Sequence, residues 1–233
     1  DKMFYWFKVK TNTKIIASMQ NKDQALNYVD SEFKKIKKKT DKINFDMANI
    51  YKNYKKYNKA ITLYSELMKN FEKNSDNYAD LLFRRGGSNE RLGNYKKSDE
   101  DLLLALKISP NESYTLNYLA YSWLERNYKI ERAIEMLKKA YSFKSDDPYI
   151  IDSIGWAYYL TGNFLKAENF LKRAVEIMPD DPIVNDHYGD ILWKLDRKIQ
   201  ARYFWANVLG MDDADEEMIK KINTKMIIGL EKS

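Results

Sequence analysis

Apolar and small side chains recur along this chain at the spacing of paired helices, and the pattern is clearest between Pro148 and Pro179. Large apolar residues alternate there with small ones, which lets two antiparallel helices approach closely while their side chains interlock. Asp147 suits the N-cap of the first helix, and Pro148 fits its first position, where a missing N–H carries no penalty. Gly162 suits the left-handed residue that ends this helix. The stretch therefore predicts a helix, a tight turn and a second helix.

The same helix pair repeats along the chain. One small residue marks the interior of each first helix, with spacings of 38, 34, 35 and 34 residues between Ala48, Gly86, Ala120, Gly155 and Gly189. The longest spacing predicts four extra residues in the polar loop around 72–77, and the 35-residue spacing predicts one extra residue in a turn that lacks glycine. The chain is thus expected to be a series of similar helical units.

A repeat of about 34 residues, with bulky, small and aromatic residues at fixed offsets, resembles the tetratricopeptide repeat (TPR) family. The resemblance covers residues 41–213. It is fullest in the unit that begins at Pro148, with matches at Ile151, Ile154, Gly155, Tyr158, Ala167, Leu171, Ala174 and Pro179. The family implies an all-α fold, a right-handed superhelical solenoid of antiparallel helix pairs with about five units. Asn185, Val208 and Asp213 depart from the family pattern in the last unit.

Both ends of the chain fit this fold less closely. Residues 1–40 predict a partial or degenerate N-terminal repeat, with helices over 3–19 and 21–39. The run Met3–Phe7 is interpreted as a helix-packing face toward an upstream repeat rather than as a ligand site. Residues 214–233 predict a C-terminal capping helix, amphipathic over 215–228, because an open solenoid end must be covered for solubility. Since the chain starts at Asp1 without an initiator Met, we expect it to be a piece of a longer product.

Composition narrows the classes of function. With 8 Gly and 4 Pro the chain has few helix breakers, and with 0 Cys it has no disulfide, thiol nucleophile or thiolate metal site. The net charge of +6 hides a gradient, with 15 basic against 6 acidic residues in 1–60, 14 against 12 in 61–144, and 11 against 16 in 145–233. No apolar run approaches the ~20 residues that span a bilayer. The acidic C-terminal third disfavours contact with nucleic acid there.

The sequence offers no convincing catalytic set. His187 is the only histidine, and it is expected to be a hydrogen-bonded structural residue rather than a metal ligand. Ser153 follows Asp152, but there is no second histidine to act as its base, so a hydrolase triad is not expected. Gly86–Gly87 lacks the preceding strand and the following Lys-Ser/Thr of a phosphate loop. We predict that the chain is not an enzyme and has no metal or cofactor.

The resemblance instead implies a binding groove, since positions 2, 5, 9 and 12 of each first helix line the concave face of a TPR array. The candidates carried over in this way are Phe83, Glu90, Tyr114, Asn117, Tyr121, Leu124, Tyr149, Asp152, Trp156, Tyr159, Ile183, Asp186, Asp190 and Trp193. About half are expected to serve helix packing. Aromatic and carboxylate side chains suit partner segments that are neutral, aromatic or basic. The cationic clamp that some TPR proteins use for a partner's C-terminal carboxylate is not expected, since the equivalent places hold Asp, Tyr and Trp, with Arg84 the only basic candidate in the second full unit.

The leading hypothesis is a non-enzymatic scaffold or adaptor that binds protein segments. Residues 152–162 and 185–197 are also similar to the last repeats of bacterial cell-envelope TPR proteins, one of which is the adaptor for a carboxyl-terminal processing protease. That similarity implies a protease or envelope complex as partner, and it favours the envelope over the cytoplasm without identifying the compartment. The alternative is nucleic-acid or anion binding through a basic segment, Lys34, Lys35, Lys37, Lys38 and Lys39. A small-molecule or glycan enzyme subunit is a third hypothesis, based only on Trp and Tyr content.

Overall fold

A computed structural model describes residues 1–230, which form thirteen α-helices and, in that range, no β-strand. The helices are α1 (Lys2–Met19), α2 (Lys22–Lys35), α3 (Asp41–Asn53), α4 (Tyr57–Leu67), α5 (Asp76–Arg91), α6 (Tyr95–Ile108), α7 (Ser113–Glu125), α8 (Ile130–Phe143), α9 (Pro148–Leu160), α10 (Phe164–Ile177), α11 (Pro182–Lys194), α12 (Lys198–Val208) and α13 (Glu216–Ile228). The all-α prediction is confirmed.

The helices divide between two compact units. Unit 1 begins at Asp1 and ends at Pro110, and it contains the pairs α1–α2, α3–α4 and α5–α6. Unit 2 begins at Asn111 and contains the pairs α7–α8, α9–α10 and α11–α12, followed by α13, which packs on α12. Within unit 2 the first helices α7, α9 and α11 lie side by side. The predicted boundaries at residues 40 and 213 concern repeat type and stay predictions.

In unit 1, Trp6 on α1 is fully buried against Phe33 on α2, with 5.9 Å between the ring centroids. Its Nε1 donates to an Asp46 carboxylate oxygen 3.1 Å away. Phe4 and Phe7 of the same run are exposed. The Met3–Phe7 run therefore divides between the interior of unit 1 and its surface.

In unit 2, two helical glycines allow the helices of a pair to approach closely. A Cβ added at Gly155 would lie 2.8 Å from Leu171 Cγ on α10, and a Cβ at Gly189 would lie 2.4 Å from Trp205 Nε1 on α12. Leu171 and Trp205 are both fully buried. The small residues at these two positions therefore allow close helix approach, as predicted, through the contacts of Gly155 with Leu171 and of Gly189 with Trp205.

The turn inside a pair places a residue in the left-handed region. The residues at this place are Lys55 (φ 57), Gly93 (φ 74), Asn127 (φ 51), Gly162 (φ 76) and Asp196 (φ 61). Their spacings, 38, 34, 35 and 34, repeat the register of the sequence. The extra residue of the α7–α8 turn is accommodated by a second left-handed residue, Lys129 (φ 46).

Two local expectations differ from the structure. A 3-10 turn at Met68–Asn70 follows α4, and the chain then runs to Ser75, the N-cap of α5, so the four extra residues spread beyond the predicted 72–77 loop. Helix α2 ends at Lys35 rather than near residue 39, because Ile36 takes an extended conformation and is buried in unit 1.

Candidate functional site

The candidate site lies on the first helices of unit 2, whose starts are fixed by carboxylate caps. Glu112 accepts from the Thr115 N–H at 2.6 Å, and Asp147 accepts from the Ile150 N–H at 3.2 Å. Asp181 starts α11 in the same way. Such caps satisfy N–H groups that the helix itself leaves unpaired, and they set which residue begins each helix. The second residue of each helix therefore lies at an equivalent level.

These second residues form an exposed line that we name the outer row: Tyr114, Tyr149 and Ile183. Their exposed fractions are 42%, 55% and 46%. Tyr114 Oη donates to Asp147 at 3.0 Å, and the ammonium of Lys144 lies 3.8 Å from the ring centroid of Tyr114. Partial burial, with Asp181 and Asp147 nearby, raises the pKa of Tyr149, so its phenol stays protonated. The outer row is a neutral and largely apolar surface.

Deeper on the same face, three rings form what we name the aromatic stack: Tyr159, Trp156 and His187. The Trp156 and Tyr159 centroids lie 4.5 Å apart with planes 8° from parallel, and the Trp156 and His187 centroids lie 4.0 Å apart at 11°. Trp156 Nε1 donates to Glu125 Oε1 at 2.7 Å, so the indole is fixed at its polar edge as well as on its faces. Burial, and then Asp190 and Asp186, raise the pKa of Tyr159. The stack joins α9 to α11.

His187 is hydrogen-bonded and buried, as predicted for a structural histidine. Its Nδ1 lies 2.9 Å from Asp152 Oδ2, and both side chains are almost wholly inaccessible. Burial alone would lower the pKa of His187, but the Asp152 carboxylate, supported by Asp186 and Asp190, raises it above its ordinary value. Asp152 therefore stabilises the imidazolium and holds its ring flat against Trp156.

Asp186 and Asp190 form a second group with two lysines of α13, which we name the Lys–Asp cluster: Lys225 is buried with them, and Lys221 reaches Asp186 from the surface. Lys225 Nζ contacts Asp186 and lies 2.6 Å from Asp190 Oδ1, and Lys221 Nζ lies 3.0 Å from Asp186 Oδ2. Burial raises the pKa of Asp186, but Lys225 and Lys221 lower it more, so it stays ionised. Burial and the neighbouring Asp186 raise the pKa of Asp190 to about 6. The acidic positions that were predicted to line the groove are covered by a helix of the same chain.

Trp193 is covered by the chain that follows α13. A Cβ added at Gly229 would lie 1.9 Å from Trp193 Cζ2, so only a glycine fits against this ring, and Gly229 has φ +77. The guanidinium of Arg202 lies 4.8 Å from the Trp193 ring centroid, on the α12 side.

The sequence contained a signal for the docking of α13 that was missed. Lys221 and Lys225 have the same i, i+4 spacing as Asp186 and Asp190.

The remaining predicted positions are distributed as follows. Asn117 and Tyr121 on α7 are half-buried, Leu124 is buried, and the Tyr121 and His187 centroids lie 6.3 Å apart. In the described chain, Asn117 Oδ1 is buried without a hydrogen-bond partner. Phe83 and Glu90 are half-buried on α5 in unit 1, so they do not join this site. The structure thus brings together the unit 2 candidates, and their role in binding stays a prediction.

Unit 1 contains a cavity of about 300 Å³ that sequence reasoning did not predict. The cavity is lined by the apolar side chains of Phe45, Leu67, Phe71 and Leu81 and by the polar side chains of Asp41, Lys42, Asn77 and Asp80. It lies beside the 3-10 turn and loop that hold the four extra residues. The 38-residue spacing between Ala48 and Gly86 was the sequence feature that could have indicated this cavity, because it lengthens the connection between α4 and α5.

The basic segment of unit 1 is not a single helical face. Because α2 ends at Lys35, the last three lysines of the run lie outside the helix. Lys35 pairs with Glu32 at 2.5 Å, and Lys39 donates to the Ile36 carbonyl at 2.7 Å. Across residues 1–230, no group of three or more His, Asp or Glu residues could hold a metal ion. No helix within that range has the length and apolarity to cross a membrane.

Comparisons with known proteins agree with this architecture. A family model described as tetratricopeptide repeat matches residues 79–112 and 150–181. The TPR repeat-containing protein PA4667 of Pseudomonas aeruginosa is 31% identical over 111 residues, which cover 48% of this chain and 19% of that protein. This chain therefore spans about a fifth of the length of that relative.

Solved structures share the fold at low identity. TTC0263, a thermophilic TPR protein of Thermus thermophilus, has a TM-score of 0.68 at 18% identity, covering 81% of this chain and 100% of its own. PilW, a type IV pilus biogenesis factor, has a TM-score of 0.65 at 18% identity, covering 80% of this chain and 86% of its own. MamA from Desulfovibrio magneticus RS-1 has a TM-score of 0.58 at 18% identity, covering 76% and 97%.

Proposed function

We propose that this chain, which contains tetratricopeptide repeats, is a scaffold or adaptor that binds a segment of a partner protein along the first helices of unit 2. The repeat fold itself supports a role in protein–protein interaction. The proposal adds the place of contact, which is the outer row together with the half-buried side chains behind it.

The observation that carries the proposal is the outer row. Tyr114, Tyr149 and Ile183 occupy the same position on three adjacent helices and are all about half exposed. Exposed apolar side chains grouped on adjacent helices, rather than scattered singly, are a common mark of a binding surface. Tyrosine is well suited to such a surface, because it gives a large contact area for few rotatable bonds.

The polar groups around the row define the partner's chemistry. Asp147 and Asp181 lie at the helix starts beside it, and Asn117 holds an unpaired acceptor behind it. A segment with apolar side chains, exposed backbone N–H groups and lysine or arginine near the helix starts fits this surface.

A matched pair of double variants tests the proposal. Tyr149→Ala with Ile183→Ala removes two members of the outer row. Tyr203→Ala with Ile199→Ala removes the same residue types from α12, where they are exposed by 63% and 87%. Partners captured by the intact chain and quantified by mass spectrometry should be lost with the first variant and kept with the second, at equal helical CD signal. Equal recovery with both variants would refute the assignment of the outer row.

The choice of partner to test first follows from the similarity of residues 152–162 and 185–197 to bacterial cell-envelope TPR proteins. We propose an envelope adaptor whose partner is a carboxyl-terminal processing protease or a complex that contains one. Purified protease of that class, from the organism that encodes this chain, should bind the intact chain and the α12 control alike. Absence of binding to the intact chain would remove the protease from the proposal without touching the outer-row experiment.

A further inference from the structure

Helix α13 is held against α11 by matching charge spacing. Lys221 and Lys225 are four residues apart on α13, as Asp186 and Asp190 are on α11, and residues at this spacing share one helix face. Lys221 pairs with Asp186 only, whereas Lys225 reaches both carboxylates. Gly229 then meets Trp193 further along. The two helices therefore run in the same direction, as successive first helices do.

The apolar hold on α13 is weak for a helix of its length. Ile222 is its one fully buried apolar side chain, Met218 and Met226 pack half-buried against the core of unit 2, and Ile227 and Ile228 are exposed. Two residues of α13 are buried, against ten of the equally long α11. Elements with few buried apolar contacts open at the low end of a protein's range of local stability. The charge contacts fix the register of α13 along α11, because each lysine has its carboxylate partner at one place on that helix.

Release of α13 would leave an acidic surface on unit 2. Lys225 is buried between Asp186 and Asp190, so its departure uncovers both carboxylates to water beside the ring of Trp193. Solvated carboxylates carry no burial penalty, and they attract cations at long range. The uncovered face is complementary to any helix that carries lysine at the same spacing.

We propose that α13 is an exchangeable occupant, and that a partner protein's helix with two lysines four residues apart, and an aliphatic residue directly after the first, binds α11 in its place. This inference shares with the proposed function the binding of a partner segment to unit 2, but it uses α11 and the Lys–Asp cluster instead of the outer row. The sequence of α13 itself, Lys221-Ile222-x-x-Lys225, is the template for the partner.

The first experiment uses a fluorescent peptide of residues 214–230 and the full chain. Lys221→Glu with Lys225→Glu places like charges together and frees α13 in that chain. The peptide should bind this opened chain at least tenfold more tightly than the unchanged chain, in fluorescence anisotropy, because the attached α13 no longer competes. The affinity should fall as salt screens the charges, and a peptide carrying both Lys→Glu changes should not bind.

Two results would overturn the inference. Equal binding to the opened and unchanged chains would mean that the peptide contacts another surface. No binding to an opened chain with normal helical CD signal would mean that α11 does not accept a helix supplied in trans.

A second format covers the case in which the charge-reversed chain does not fold. A protease site inserted between Gly210 and Asp215 lies before α13 and keeps its sequence and its lysines intact until the chain is cut. After cleavage the labelled peptide should replace α13 within hours, and permanent retention of the cut helix would contradict the proposal. The chain with Tyr149→Ala and Ile183→Ala should bind the peptide unchanged in the opened background, so failure of the outer row and failure of helix exchange are distinguished.

Discussion

The contact between Gly189 and Trp205 gives the most direct test of how unit 2 is packed. In Gly189→Ala the new Cβ would lie 2.4 Å from Trp205 Nε1 and 2.5 Å from Trp205 Cδ1, so one helix or the ring has to move. The ring is fully buried, and its Nε1 donates to Asp190 Oδ1 at 3.0 Å. Movement of the indole therefore strains the packing and weakens a hydrogen bond to a buried carboxylate at the same time.

The magnitude follows from three contributions. Overpacking of a core by a methyl group costs about 1–3 kcal/mol, and loss of a hydrogen bond to a charged group costs about 1.5–3 kcal/mol. Replacement of glycine by alanine inside a helix stabilises the folded chain by about 1 kcal/mol, because alanine has the higher helix propensity. We expect Gly189→Ala to lower the free energy of unfolding by about 1.5–5 kcal/mol, since the two losses exceed the gain.

Urea unfolding followed by far-UV CD and tryptophan fluorescence measures this change. Gly210→Ala is the matched control, because the nearest heavy atom to its new Cβ, Asn207 O, lies 3.7 Å away in ordinary contact. Gly155→Ala meets Leu171, a side chain without a hydrogen bond to lose, and should have a smaller effect than Gly189→Ala. If Gly189→Ala were as stable as the unchanged chain, Trp205 would not limit the approach of α12 to α11.

Three further outcomes follow from the same structure. Because the pKa of His187 is raised in the folded chain, its contribution to stability is complete below about pH 6.5 and is lost as the pH rises through the higher folded value. Thermal unfolding between pH 6 and 9 should show this decline in stability, and the substitution His187→Gln should remove the decline. Lys225→Ala leaves two buried carboxylates without their shared cation and should cost about 3–5 kcal/mol, whereas Lys221→Ala, at a largely exposed ammonium, should cost at most about 1 kcal/mol in the same urea assay. Gly162→Ala adds no clash but holds a Cβ at φ +76, so it should lower the unfolding free energy by about 1 kcal/mol, and an unchanged urea midpoint would contradict a left-handed turn.

Local features of the fold were predictable because their chemistry lies within a few residues. Asp147 caps α9, Pro148 begins it, and Gly162 takes the left-handed conformation after it. The register of small residues also gave the helix pairs in the correct order. The predicted end of α2 near residue 39 was wrong, because burial of Ile36 in unit 1 outweighs the helix propensity of the lysines that follow.

The candidate site was predictable only in part. Position rules selected Trp156 and Asp152 as groove residues, but they could not reveal that both are engaged by His187 from the next first helix. The same rules selected Asp186 and Asp190, which α13 covers. Whether a position faces a groove or a neighbouring helix depends on contacts with residues on the next repeat, such as Trp156 with His187 and Asp190 with Lys225, and the repeat period alone does not encode them.

The aromatic stack gives the chain an internal optical signal. An imidazolium in face contact with an indole accepts an electron from its excited state, and a neutral imidazole does so far less, so the emission of Trp156 depends on the charge of His187. The ring planes lie 11° from parallel at 4.0 Å, which is close enough for this quenching. A change that separates α9 from α11, or that removes the proton from His187, should therefore change the emission of Trp156, without an added fluorophore.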